Sequence, residues 1–219
     1  AGASESVINY GTMKAWQALH VLSPQGCFPF AKKRNGTVLG EGAGILVLES
    51  LEHAQKRGAN ILGELMGFGL TSDAKDMVNP GVEGPREAMK MALADAGIAA
   101  EKIDYLNAHG TATAINDKNE TNAIKEVFGD HAYKLAVSST KSMHGHPLGA
   151  GGGIEATLCL KAMEENWVPP TIGLDEPDPD CDLDYVPNQG RDREVTYTMS
   201  NSFAFGGLNT VLVFGPPPA

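Results

Sequence analysis

Glycine constrains this chain more than any other residue type. There are 26 glycines in 219 residues, about 12% against an average near 7%. Many stand in tight groups: Gly40-Glu41-Gly42-Ala43-Gly44, Gly149-Ala150-Gly151-Gly152-Gly153 and Gly206-Gly207. Clustered glycine marks turns and close backbone approaches, where α/β enzymes build their sites. Neither of the first two groups places a third glycine where a dinucleotide fingerprint needs it, and no GxxxxGK[ST] occurs. Close packing against a helix is therefore the better reading of both.

The pattern between these groups alternates. Residues 6–20 read as a helix with Ile8, Trp16 and Leu19 among its apolar positions, 44–49 as a short buried strand, and 51–57 as a helix ending before Gly58. A strand over 61–69 leads into a loop through Gly84. The helix expected from Pro85 to Ala96 has proline in its first turn and Gly97 just past its end. Strands at 104–108 and 135–139 flank a helix at 118–128. A helix at 151–165 aligns Ile154, Leu158 and Ala162, and strands at 195–200 and 210–214 close the chain. This alternation predicts an α/β fold with a central sheet.

Charge and cysteine usage narrow the function. Lys plus Arg is 17 and Asp plus Glu is 27, a net charge of −10, so no nucleic-acid partner is expected. No apolar run approaches the ~20 residues of a spanning helix, and no membrane partner is expected. Cys27, Cys159 and Cys181 are odd in number and widely spaced. They offer no disulfide framework or CxxC metal site and fit a reducing, cytoplasmic setting. The chain opens Ala1-Gly2-Ala3-Ser4 without methionine and is expected to belong to a longer protein.

Three segments carry chemistry. In Asn107-Ala-His-Gly-Thr-Ala-Thr113, Gly110 lets the chain turn at a strand end so that His109 projects into a cleft. Thr111 and Thr113, two apart, present hydroxyls on one side. A strand-end histidine bonded to backbone is the simpler reading of His109 alone. Ser138-Ser-Thr-Lys141-Ser-Met-His144-Gly-His146 places a lysine beside two histidines, an unusual place for a residue that is normally solvated. His-x-His lacks a third ligand at a recognisable spacing, so no metal is expected. Asn201-Ser-Phe-Ala-Phe-Gly-Gly-Leu-Asn209 reads either as a mobile loop with an aromatic tip or as a hairpin whose Phe203 and Phe205 are core. Asp117-x-x-Glu120 has the form of a capping box, which puts Glu120 in a first helical turn.

Together these segments resemble the β-ketoacyl synthases, as does Lys33-Arg-Asn-Gly-Thr-Val-Leu-Gly-Glu-Gly-Ala-Gly44. The resemblance is to the elongating ketosynthases of type II fatty-acid and polyketide systems, and it runs over essentially the whole chain. It implies a thiolase-like layered α-β-α-β-α fold, here incomplete: residues 1–58 would finish the N-terminal half and 59–219 would form the whole C-terminal half. The implied reaction is a decarboxylative Claisen condensation. A cysteine takes an acyl chain as a thioester, and malonyl-acyl carrier protein loses CO₂ to give the enolate that attacks it.

By the same resemblance His109 and His146 are the catalytic pair, and Lys141 organises the site by pairing with Glu120. Thr111 and Thr113 bond the phosphopantetheine arm, which arrives on the carrier protein, so no resident cofactor is expected. Phe203 and Phe205 shape the pocket, with Phe205 its gate, and the loop from Thr71 to Pro80 moves with it. An acidic carrier protein would dock near Lys14 and His20, with Lys32-Lys33-Arg34 as a second basic group. A dimer is implied, identical or mixed.

The chain departs from the family pattern in three ways. The Ala-Cys-Ser/Thr-type nucleophile motif is not present, and none of the three cysteines matches it. Ala204 stands for a usual glycine and Leu208 for a usual threonine. The alternative reading is a non-catalytic partner of the chain-length-factor type, which lacks the cysteine; retention of both histidines argues against it. A thiolase is disfavoured because His146 stands where thiolases carry a second cysteine.

Overall fold

The computed structural model describes residues 1–218. Its centre is a five-stranded mixed sheet in the order β3 (Glu64–Ser72), β9 (Leu208–Gly215), β8 (Thr198–Ala204), β4 (Tyr105–Asn107), β5 (Ala136–Ser138). β4 runs parallel to β5 and β8, whereas β9 is antiparallel to both β8 and β3. Successive residues on a strand point to opposite faces, and the sequence uses both. Leu106, Val137 and Val213 enter one apolar cluster with α3 (Glu83–Ala96) and α4 (Ala114–Phe128). Their neighbours Tyr105, Ala136 and Phe214 enter another with α6 (Gly151–Glu165). A sheet covered on both faces explains why β4 and β5 are wholly buried.

The chain begins with a small ribbon, β1 (Gly2–Glu5) antiparallel to β2 (Gly42–Ile45), that lies on α6. Between its strands runs α1 (Tyr10–Ala18), capped by the Asn9 side chain, which accepts from Thr12 N. Helix α2 (Leu51–Lys56) follows the ribbon, a short helix α5 (Lys141–His144) follows β5, and β6 (Trp167–Val168) pairs with β7 (Arg191–Asp192). The glycine groups do pack closely. A Cβ on Gly44 would collide with the Gly153 backbone, and one on Gly153 with the Gly44 carbonyl.

Several expected boundaries move for physical reasons. The expected helix at 6–20 shrinks to α1, which buries no residue and so has no packing to extend it. The expected buried strand at 44–49 is the exposed ribbon strand β2, and Val47 and Leu48 beyond it face outward. The strand expected at 61–69 slides to Glu64–Ser72, where pairing with β9 fixes its register. The capping-box reading fails because α4 starts at Ala114 after Thr113. The Asp117 carboxylate instead accepts from the Phe30 and Ala112 backbone amides. Helix α6 spans 151–165 as expected, but its buried face carries Glu155, Ala156, Cys159, Leu160, Ala162 and Met163, so of the expected stripe only Ala162 is buried.

Candidate active site

The parallel strands β4 and β5 end side by side, and the chain after each supplies one histidine. After β4 the backbone turns at Gly110, whose φ is 38°. A Cβ there would strike the Ser139 side chain, so the turn needs glycine. Glu120, on α4, holds this turn from below. Its carboxylate accepts from His109 N at 2.9 Å, from Gly110 N at 2.8 Å and from Asn201 Nδ2 at 3.0 Å. After β5, α5 and the Gly145 turn present His146, whose amide bonds Val38 O at 2.6 Å.

The two imidazoles meet edge to face with centroids 5.5 Å apart. Nδ1 of each is buried with no hydrogen-bond partner among the described residues. Burial, reinforced by the Lys141 charge, pushes the His109 pKa well below the ordinary imidazole value and that of His146 down to about 3. Both rings are therefore neutral at physiological pH, and each keeps one N–H to donate. His144 is lowered to about 4 for the same reasons, but its Nε2 is engaged by Thr140 Oγ1 at 3.1 Å.

The structure corrects the expected partner of Lys141. Its ammonium pairs with Glu155 on α6, not with Glu120, and both side chains are only 1% exposed. Burial raises the pKa of the Glu155 carboxyl, and the Lys141 charge opposes that rise. Sequence reasoning missed Glu155, whose signal was a lone carboxylate in the apolar helix 151–163. It also missed Asn201, which steadies Glu120.

His109, His146, Lys141, Thr111, Thr113, Phe203 and Phe205 line one cavity of about 760 Å³, together with Glu155. Thr111 and Thr113 do share a side, their hydroxyls 3.0 Å apart. The two readings of the last motif divide between its aromatics. Phe203 is core and lies against His109 with centroids 5.4 Å apart, whereas Phe205 sits at the hairpin tip and is 43% exposed. Trp16 and Leu19 of the α1 segment complete the mouth.

The basic groups separate clearly. Lys32 and Lys33 pair with Glu176 and Asp175, and Arg34 is buried between Asp117 and Asp178, so that triplet is internally neutralised. Lys14 is exposed, bonds Gln17 and has no carboxylate partner among the described residues; His20 is exposed nearby. Burial raises the thiols of Cys27 and Cys181 to about 11 and that of Cys159 to about 12, so all three stay protonated. Among the described residues no three His, Cys, Asp or Glu side chains converge to hold a metal, and no helix is long and apolar enough to cross a membrane.

Known proteins resemble this chain in sequence and fold. The chain is 55% identical to nodulation protein E of Rhizobium meliloti over 214 residues, covering 98% of this chain and 53% of that protein. It is 50% identical to 3-oxoacyl-[acyl-carrier-protein] synthase 2 of Staphylococcus aureus (strain COL) over 220 residues, 97% of this chain and 53% of that one. Among solved structures, the AntDE:AntF complex superimposes with a TM-score of 0.94 at 40% identity, over 97% of this chain and 54% of that chain. That complex holds a type II polyketide-synthase acyl carrier protein with its ketosynthase bound to the hexaketide. The expected thiolase-like layering is thus borne out. The chain spans about half the length of the curated relatives it matches. Residues 1–54 match the family described as beta-ketoacyl synthase, N-terminal domain, and residues 62–175 the corresponding C-terminal domain: the chain belongs to the β-ketoacyl synthase family.

Proposed function

We propose that this chain forms the decarboxylating part of a ketosynthase that extends acyl chains with malonyl-acyl carrier protein. The observation that carries the reading is the pair of neutral histidines 5.5 Å apart at one cavity. When the malonyl C–CO₂⁻ bond breaks, its electron pair forms an enolate whose charge settles on the thioester oxygen. Two neutral N–H donors aimed at that oxygen stabilise the charge where it develops, and they do so most in a dry site. The enolate carbon then attacks an acyl thioester and expels the cysteine thiolate. No candidate for that cysteine lies in residues 1–219, because all three thiols here are buried and protonated.

Other side chains have supporting roles. Glu120 positions His109 through the two amides it accepts, and the Lys141–Glu155 pair fixes the floor between the histidines. Thr111 and Thr113 bond the phosphopantetheine arm, which comes and goes with the carrier protein and leaves no resident cofactor. Phe205 gates the cavity that Phe203 backs. We place the division between halves at 58/59, close to the break between the two domain matches. Three unpaired buried cysteines support a reducing, cytoplasmic setting. The working unit is a dimer, homo- or heteromeric, with acyl carrier protein as its transient partner.

The carrier protein is acidic and the chain carries −10, so docking needs a local unpaired cation. Lys14, on the same helix as Trp16 of the cavity mouth, fits this better than the neutralised triplet at Lys32–Arg34. A product assay on the full-length enzyme with acyl- and malonyl-carrier protein tests both points. Expected are one CO₂ per β-ketoacyl product and, for Lys14→Glu, a several-fold higher KM for carrier protein that converges with the parent at high salt. Absence of β-ketoacyl product contradicts the function; an unchanged KM removes Lys14 from the docking surface.

A further inference from the structure

The hairpin tip over the cavity is held by two kinds of contact. Gly206 N donates to Met77 O at 2.9 Å, and Asp73 N donates to Gly207 O at 3.0 Å. The turn at 205–207 and the segment 73–77 therefore form one body. Gly207 has φ 80°, and a Cβ on it would collide with the Asp73 carboxylate, so only glycine permits this approach. Neither bond reaches across the cavity.

That crossing is made by the Phe205 ring. It stacks on the indole of Trp16 with centroids 5.3 Å apart and planes at 23°. The indole in turn sets its ring 6.1 Å from that of His146, at 80°. Trp16 belongs to α1, an element remote in sequence from the hairpin, so the stack joins two walls of the cavity.

We propose that Trp16 is a positioning residue that latches Phe205 over His146 and so sets how much of the time the gate is closed on bound malonyl thioester. The inference rests on the condensing reading above and on Phe205 as its gate. A stacked aromatic pair is strong enough to shift a two-state equilibrium about three- to tenfold. With the stack made, two aromatic faces exclude water beside His146. With it broken, the tip and the 73–77 segment swing together and the mouth widens. Acyl delivery therefore needs the stack open, and decarboxylation needs it closed.

Two measurements test this. The chain contains two tryptophans, Trp16 and Trp167. In 5-fluorotryptophan-labelled full-length enzyme, with Trp16→Phe and Trp167→Phe to assign the two signals, Phe205→Ala should move the Trp16 fluorine resonance and leave that of Trp167 in place. An unmoved Trp16 resonance overturns the latch. In the full-length enzyme, Trp16→Ala should lower condensation kcat about three- to tenfold while self-acylation is unchanged or faster, and Trp16→Phe should restore most of the loss. Equal losses in both steps, or no recovery with phenylalanine, also overturn it. If the parent enzyme forms no β-ketoacyl product, the condensing reading fails instead, and the fluorine measurement still decides the stack.

Discussion

Replacing His146 with alanine in the full-length enzyme should lower malonyl decarboxylation about 10²- to 10³-fold, the usual cost of losing one donor to a developing oxyanion. The argument rests on protonation as much as on position. An imidazolium would attract the malonyl carboxylate and hold the group that has to leave as CO₂. Burial and the nearby Lys141 charge keep His146 neutral down to about pH 3, and His109 is lowered by the same causes. Above that value the His146 ring is neutral, so its titration takes no rate away between about pH 5 and 8. His109→Ala should match His146→Ala, and the double variant should be little worse, because the two donors act on one charge. Self-acylation develops no enolate and should fall much less. Unchanged decarboxylation in His146→Ala would remove that residue from the chemistry.

Lys141→Met should be the most destabilising single change in the site, by about 3–5 kcal/mol, since it strips the partner from a buried carboxylate. Lys141 and Glu155 are each 1% exposed, so water cannot replace the lost partner. Glu155 answers by binding a proton. Its folded-state pKa, already raised by burial, then rises further above the unfolded value of 4.5. A carboxyl shifted upward stabilises the fold at low pH and loses that contribution as pH rises. The variant should therefore weaken relative to the parent from about pH 5 upward, by about 1.4 kcal/mol per pH unit until Glu155 ionises in the folded state. Adding Glu155→Leu should recover much of the loss and remove the extra pH slope. Urea unfolding at several pH values reads both effects. A variant within about 1 kcal/mol of the parent at every pH would mean that the ion pair does not anchor the site.

The same pair marks where the sequence was legible and where it was not. Helix α6 was readable to its ends, because a glycine run opens it and an apolar period sustains it. Its face was not: Ile154 and Leu158 look like the core stripe, yet the sheet takes Glu155 and Cys159. That rotation hid the partner of Lys141 and left Glu120 as the nearest carboxylate in the motif. Glu120 is instead committed to backbone amides, because α4 starts at Ala114 and carries it under the His109 turn. Gly110, by contrast, was legible, since a sharp turn at a strand end admits few other residues. Trp16 read only as an apolar helix position, because its importance lies in a ring that arrives from nearly two hundred residues later in the chain.

On the proposed reading these residues stabilise the enolate while another segment bears the acyl group. The most direct measurement is intact mass, followed by peptide mapping, of the full-length protein after incubation with an acyl-carrier-protein donor. The predicted result is one added acyl group on a cysteine peptide outside residues 1–219, with Cys27, Cys159 and Cys181 unmodified. Acylation of any of those three, or no acyl gain by the full-length protein, would contradict it.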